Sequence, residues 1–267
     1  RLALNSINDD RIEILPRDTK SDPVSTYEVS RNLYENFGVK IIIGPVFNNN
    51  ITELGRLPEI TFISLTNRLE NNPENVISAG VNAISQLSAI KKFLKRKKLE
   101  RTIFLLPDSK FKNEIENAIN KTQIKLKDKF IYNTDPTLLT AQIEKITRYK
   151  QRKQNLIDEI TRLENSDDPK KEKKIEKLNT RDTLGGINFD SVVIADFDEN
   201  LKSVATSLLY TDVSSDRVNY ITLNQWFDDS LLKESSMQPI YFPSINKKNY
   251  DKFSSDFNNS FSYLPNQ

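Results

Sequence analysis

The sequence has no cysteine and no histidine, and it holds six glycines, one methionine and one tryptophan in 267 residues. Without cysteine there are no disulfides, thiolate nucleophiles or thiolate metal sites, and without histidine there is no imidazole to shuttle protons. Zinc hydrolysis and the Ser-His-Asp and Cys-His forms of catalysis are therefore excluded within this chain. The lack of cysteine leaves the redox compartment open. No phosphate-cradling loop can be assembled from the glycines, since neither GxxxxGK[ST] nor GxGxxG occurs, which argues against nucleotide chemistry. No run approaches the roughly 18 apolar residues of a membrane span, and no charged-then-apolar signal segment opens the chain. The opening "RLALNSINDD" reads as the end of a helix whose start, with any export signal, lies upstream. Charge of one sign is also missing: 39 basic against 37 acidic residues leave +2. There is no global field to hold a nucleic acid or an acidic membrane. The basic run "KKFLKRKKLER" (residues 91–101) reads as a solvated helix end with Phe93, Leu94 and Leu99 turned inward.

What is present is a chain that folds. Hydrophobic residues at 37% and charged residues at 28%, with fourteen Phe and nine Tyr, exceed what disordered segments carry. The length suits two modest lobes or one large domain. Short apolar runs recur at residues 11–16, 39–44, 60–65, 102–107, 127–133, 189–196 and 218–223. Several lack a two-residue alternation, as strands buried on both faces of a parallel sheet do. Helical patterns stand between them. In residues 22–37, Val24, Tyr27, Val29, Leu33, Tyr34 and Phe37 share a face behind an Asp22-Pro23 start. The spacing predicts βαβ units and an α/β fold.

One segment breaks the rhythm. Residues 148–186 carry Leu156, Ile160 and Leu163 on one stripe, a cap at Asp168-Pro169, then Ile175 and Leu178. This pattern predicts an amphipathic helical hairpin inserted in the second lobe. Its lysine-rich face is either simply solvated or a surface for a partner.

In open α/β sheets, ligands settle beyond the carboxyl ends of the strands. Those positions supply Phe47, Asn48 and Asn49 after "VKIIIGPV", Ser64 and Thr66, Asp108 and Phe111, Asp196, and Trp226. Hydroxyls, amides, carboxylates and aromatics of this kind orient a small polar ligand and cover its apolar part. The same residue types also end strands and cap helices. Asp196 with Asp198, and Asp228 with Asp229, are pairs of carboxylates, but sequence adjacency does not supply the geometry that hydrolysis requires. No catalytic residue, metal ligand or cofactor is assigned.

The order of "IEILPRDTKSDPVSTYEVSRNLYENFGVKIIIGPVFNNN", "PEITFISLTN" and "TIFLLPDSKFKNEIENAI" resembles the type I periplasmic binding proteins of the branched-chain amino-acid receptor kind. That resemblance implies an α/β fold of two Rossmann-like lobes, residues 1–82 plus 238–267 and residues 83–237, with a ligand cleft between them, and a fragment lacking the first strand. The hairpin, followed by "RDTLGGINFDSVVIADFDENLKSVATSLLYTDV" and "ITLNQWFDDSLLKESSMQPIYFPS", is similar to the penicillin-binding protein activators (LppC/LpoA-like lipoproteins). This narrower likeness implies a non-enzymatic periplasmic scaffold, anchored to the outer membrane only through a lipid on an upstream cysteine. Its partner would be a peptidoglycan synthase. The alternative is a substrate-binding receptor of an ABC transporter for a branched-chain or other small amino acid or amide. Receptors of this fold commonly offer a serine after the "GP" strand and a tyrosine in the second lobe. Here Asn48 or Asn49 and Phe111 stand at those positions, while Ser64 and Thr66 keep the hydroxyl type of the middle loop.

Overall fold

A computed structural model of the chain describes residues 7, 9, 11–67, 72–224 and 233–265, with the side chains of Asn48 and Ser236 left aside. The elements in order are α1 (Pro23–Phe37), β1 (Ile41–Ile43), β2 (Thr61–Ser64), β3 (Val76–Ser78), α2 (Ala83–Lys97), β4 (Thr102–Pro107), α3 (Lys112–Thr122) and β5 (Asp128–Tyr132). There follow α4 (Pro136–Ile146), α5 (Tyr149–Glu164), α6 (Lys171–Asn179), β6 (Ser191–Ile194), α7 (Asp198–Tyr210), β7 (Asn219–Thr222), β8 (Ile240–Tyr241) and α8 (Lys247–Phe261). The chain divides into two compact units, Arg1–Ser85 with Ile245–Gln267, and Gln86–Ser244. Each contains its own parallel sheet.

In the first unit the sheet order is β1-β2-β3, with Ile42 opposite Phe62 and Phe62 opposite Val76. That row is the buried one. Phe62 and Val76 pack with Ile51, Leu54, Leu57 and Ile60, and Tyr27 and Tyr34 of α1, with Ile42, pack against that cluster. Helix α1 starts as its sequence dictates: the Asp22 carboxylate accepts from the Ser25 N–H at 2.7 Å and Pro23 takes the first turn. Gly38 ends it in the left-handed region at φ 66°. The 3₁₀ turn Thr52–Arg56 is tied down by Asn75, whose amide donates to Leu54 O, Leu57 O and Ile60 O at 2.9–3.1 Å.

In the second unit the order is β5-β4-β6-β7-β8. Every residue of β4 and β6 is buried, as the non-alternating runs predict for central parallel strands. On one face Ile103, Leu105, Val192 and Ile194 meet Leu139 and Ile143 of α4 and Leu201, Val204 and Leu208 of α7. Thr102 and Ser191 share a hydroxyl hydrogen bond of 2.8 Å across neighbouring strands, which lets two polar side chains sit in the core.

The predicted hairpin is present as α5 and α6, with Leu156 and Leu163 buried and Ile160, Ile175 and Leu178 half-buried. Asp168 does not cap its own helix in the expected way. It accepts from the Lys170 N–H at 2.8 Å and from the Lys174 ammonium, so it braces the turn before α6.

Two strand readings change. Residues 11–16, an apolar run expected to be a strand, join no ladder. A strand exists only where a neighbour supplies the other half of its hydrogen bonds, and no described strand lies beside this segment. Val76–Ser78, unmarked by any long apolar run, is a strand because β2 offers it an edge. Among the described residues, no helix is long and apolar enough to cross a membrane.

Candidate functional site

The carboxyl ends of β4, β5 and β6 bring together residues far apart in sequence. Tyr132 closes β5 and is 1% exposed. Its hydroxyl donates to Asp196 Oδ2 at 2.5 Å, just beyond β6. The other carboxylate oxygen of Asp196 accepts from the Phe197 N–H at 2.9 Å. Burial holds the Asp196 carboxyl above the usual carboxylate range, against the opposing pull of the hydrogen bonds from Tyr132, Phe197 and Asn200. Burial and the adjoining carboxylate push the Tyr132 phenol far up, so it stays a neutral donor.

The neighbours of this pair are aromatic and acidic. The rings of Phe111 and Phe197 meet with centroids 5.7 Å apart, a separation typical of favourable tilted pairs. Asp108 donates its N–H to Tyr132 O at 2.8 Å and pairs its exposed carboxylate with Lys112 at 2.9 Å. Asp108 and Asp196, assigned from two separate loops, are thus both tied to a further residue, Tyr132, and Phe111, from the same loop as Asp108, meets the ring of Phe197 next to Asp196. A tyrosine as the last residue of an apolar strand was the available signal for Tyr132. Trp226 lies outside the described residues.

The first unit gathers the other group. Gly44–Pro45 is a cis peptide, and Gly44 at φ 130° adopts a conformation that side-chain-bearing residues rarely reach. Ser64 is fully buried; its hydroxyl donates to Pro45 O at 2.8 Å and accepts from the Thr66 N–H at 3.2 Å. Thr66 is buried, and its carbonyl accepts from the Ser78 hydroxyl at 2.8 Å. The Ser64 hydroxyl therefore joins two strand ends. Phe47 and Asn49 are exposed, and Asn48 begins the 3₁₀ turn Asn48–Asn50. The third asparagine of the run, Asn50, is 2% exposed and its Oδ1 has no hydrogen-bond partner among the described residues. Gly80 passes so close to this loop that a Cβ on it would stand 2.2 Å from Thr66 O.

Arg152 is a second residue that the periodicity does not flag. It lies in α5, is 3% exposed, and spreads its guanidinium over the carboxyl ends of two helices. Nε donates to Thr147 O at the end of α4 at 3.1 Å, and Nη2 donates to Thr211 O at the end of α7. Nη1 reaches the Thr183 hydroxyl at 3.1 Å and the Asp212 carbonyl at 3.4 Å. Burial lowers its pKa while the Asp212 carboxylate opposes that. No group of three carboxylates that could hold a metal ion occurs among the described residues.

No protein-family model matches the chain, and no curated protein matches it. Solved structures do. A branched-chain amino acid ABC transporter periplasmic ligand-binding protein from Burkholderia xenovorans is similar over 99% of this chain and 66% of its own, at 9% identity and TM-score 0.59. An ABC-type branched-chain amino acid transporter protein from Rhodopseudomonas palustris is similar over 99% and 68%, at 14% identity and TM-score 0.59. A branched-chain amino acid transporter substrate-binding protein from Streptococcus pneumoniae, solved in complex with isoleucine, is similar over 99% and 71%, at 12% identity and TM-score 0.50. The chain thus spans about two thirds of the length of these neighbours. Identities this low show the fold alone: an α/β, parallel-sheet fold of the type I periplasmic binding protein kind.

Proposed function

We propose that this chain is a non-enzymatic binding protein for a small polar ligand with an apolar portion, of the chemical class of a branched-chain amino acid. The observation that carries the reading is the Tyr132–Asp196 pair beside the Phe111–Phe197 rings at the carboxyl ends of β4, β5 and β6. A carboxylate held above its usual range by burial gains from an approaching ammonium, which offsets that cost. The two rings offer apolar surface next to it. The fold shared with transporter substrate-binding proteins supports the class of function without fixing the ligand. Calorimetric titration with leucine, isoleucine, valine and their amides tests it. Heat of binding that drops about tenfold or more in affinity for Asp196→Asn and for Phe111→Ala is expected. A full amino-acid panel with no binding to the folded protein would sink the reading.

The hairpin favours a second reading, in which the chain is an exported scaffold that stimulates a peptidoglycan synthase. Arg152 fixes the base of α5, whereas α6 buries no residue and turns Lys170, Lys173 and Lys177 outward. A rigid base under a charged, unburied helix suits contact with an acidic protein surface. Co-purification from envelope extracts decides: a synthase captured by the intact chain, and lost when those three lysines become glutamates, supports this reading. Capture that survives the charge reversal removes it.

A further inference from the structure

The near balance of charge over the whole chain conceals a local excess in the second unit. Helix α2 precedes β4, and α3 joins the carboxyl end of β4 to the amino end of β5, so both helices finish at the amino ends of these parallel strands. They finish side by side: the Lys91 ammonium donates to the carbonyl of Thr122, the last residue of α3, at 2.8 Å. Lys98, at φ 58°, turns the chain out of α2, and the Leu99 N–H donates back to Leu94 O at 3.0 Å. Lys95, Arg96, Lys97 and Lys98 are thereby exposed at one helix end, and Lys121 and Lys125 at the other. Arg101 and Lys127 continue the face at the strand starts, where the Lys127 N–H donates to Thr102 O at 2.7 Å. The Lys127 ammonium donates to Asn188 O, and Asn188 shares a hollow of about 400 Å³ with Lys145 and Arg148 at the end of α4.

Acids do not match this density of cations. Asp190 accepts from the N–H groups of Glu100 and Arg101 at 3.2 and 3.1 Å and lies 3.7 Å from the Arg101 guanidinium, so its charge is already engaged. Among the described residues, none of the other cations named on this face forms an ion pair except through that one arginine. A helix carboxyl end favours cations, but only within its last turn. Like charges one turn apart, such as Lys92 with Lys95 and Arg96, repel one another. The face therefore carries more positive charge than its helix ends can use.

The make-up of the face selects its partner. Lysines prevail over arginines, and a lysine is a hydrated point charge without the planar fork that grips a single phosphate from two sides. The aromatic rings nearest to it, Phe93 and Tyr241, are half-buried and packed on each other at 4.9 Å, so they offer no platform on which bases stack. Beside the cations stands apolar surface instead. Phe130, Ile131 and Ile146 wall the hollow at Lys145 and Arg148, and Ile131 is 47% exposed. Delocalised positive charge framing apolar side chains matches the anionic headgroups of a bilayer and the acyl boundary just beneath them.

We propose that the amino-end face of the second unit's sheet, formed by the ends of α2, α3 and α4 and the starts of β4 and β5, docks on an anionic lipid bilayer surface. It lies at the opposite end of β4, β5 and β6 from the Tyr132–Asp196 pair, so it stands apart from the ligand reading above. Co-sedimentation of the full chain with vesicles of equal parts phosphatidylcholine and phosphatidylglycerol tests it, against vesicles of phosphatidylcholine alone. Binding to the mixed vesicles is expected, at least about tenfold weaker to the neutral ones, and weakening as salt is added. Each lysine near an anionic leaflet strengthens binding about fivefold, so Lys95→Gln, Lys121→Gln and Lys125→Gln combined should lose about a hundredfold. Lys247→Gln, Lys248→Gln and Lys252→Gln combined, exposed positions of the first unit, remove the same charge and should bind as the parent does. Ile131→Ser should weaken binding about threefold to tenfold without changing its salt dependence. All these lysines are exposed, so parent-like melting is expected, and the salt titration of the parent needs no variant. Equal binding to neutral vesicles, binding indifferent to salt, or equal losses in the two triple variants each overturns the proposal. So does displacement by free glycerol phosphate at the concentration of the lipid phosphate, which would show a small-anion site. Tighter binding of double-stranded DNA than of the mixed vesicles at the same salt also overturns it, because the partner is then a nucleic acid.

Discussion

Replacing Arg152 by methionine isolates the physics of the hairpin. The aliphatic part of the side chain is kept, while the guanidinium that covers the ends of α4 and α7 is removed. Thr147 and Thr211 are 3% and 0% exposed, so their carbonyls have no route to water when the donor goes. Each such buried acceptor costs about 1–3 kcal/mol unpaired. The attraction between a cationic donor and the negative ends of two helices adds to that, whereas Asp212, at 23% side-chain exposure, regains water and recovers part of it. The sum is about 3–4 kcal/mol, close to what breaking one side of a buried ion pair costs elsewhere. Arg152→Lys keeps the charge but loses the fork that spans both helix ends, and should fall between the two. Urea denaturation gives the stabilities, and hydrogen exchange localises the effect. The amides of α5 and of Leu184, which donates to Arg152 O at 2.9 Å, should exchange before the rest of the second unit in the methionine variant. A methionine variant within about 0.5 kcal/mol of the parent, the range of an ordinary surface change, with unchanged exchange in α5, would refute the assignment of Arg152 as the hairpin's fastening.

Three further outcomes follow from the geometry. Gly80→Ala places a methyl 2.2 Å from Thr66 O and 2.6 Å from Leu65 O, both backbone atoms that cannot swing aside; a loss of about 1–3 kcal/mol in thermal or urea melts is expected, and parent-like stability would show that the loop carries no such constraint. Asp22 has a lowered pKa because it accepts from the Ser25 backbone. Its contribution is therefore present above pH 3.8 and disappears as the pH falls through its lowered value, so the stability gap between the parent and Asp22→Ala should shrink on acidification. Asp196 runs the other way. Its raised pKa means the folded state holds the proton more tightly, a contribution complete below pH 3.8 and lost as the pH rises through its raised value. Against Asp196→Asn, which does not titrate, the parent should lose ground steadily over that rise, and a pH-independent gap would contradict the burial argument.

The residues that the sequence exposes and those it hides differ in kind. β4 and β6 are legible because a strand buried on both faces must be apolar at consecutive positions, and "TIFLLP" and "SVVIA" meet that demand with no help from elsewhere. Helix α1 is legible because its cap, its first-turn proline and its terminal glycine act within the chain's nearest neighbours. Tyr132 and Arg152 are hidden because their roles depend on groups 64 and 59 residues away, Asp196 and the Thr211 carbonyl. No local period encodes a contact of that range. Gly80 is hidden for the same reason, since what forbids a side chain there is the backbone of Thr66. The run at residues 11–16 shows the converse. Its composition is that of a strand, yet a strand is a property of two chains side by side, and composition supplies only one of them.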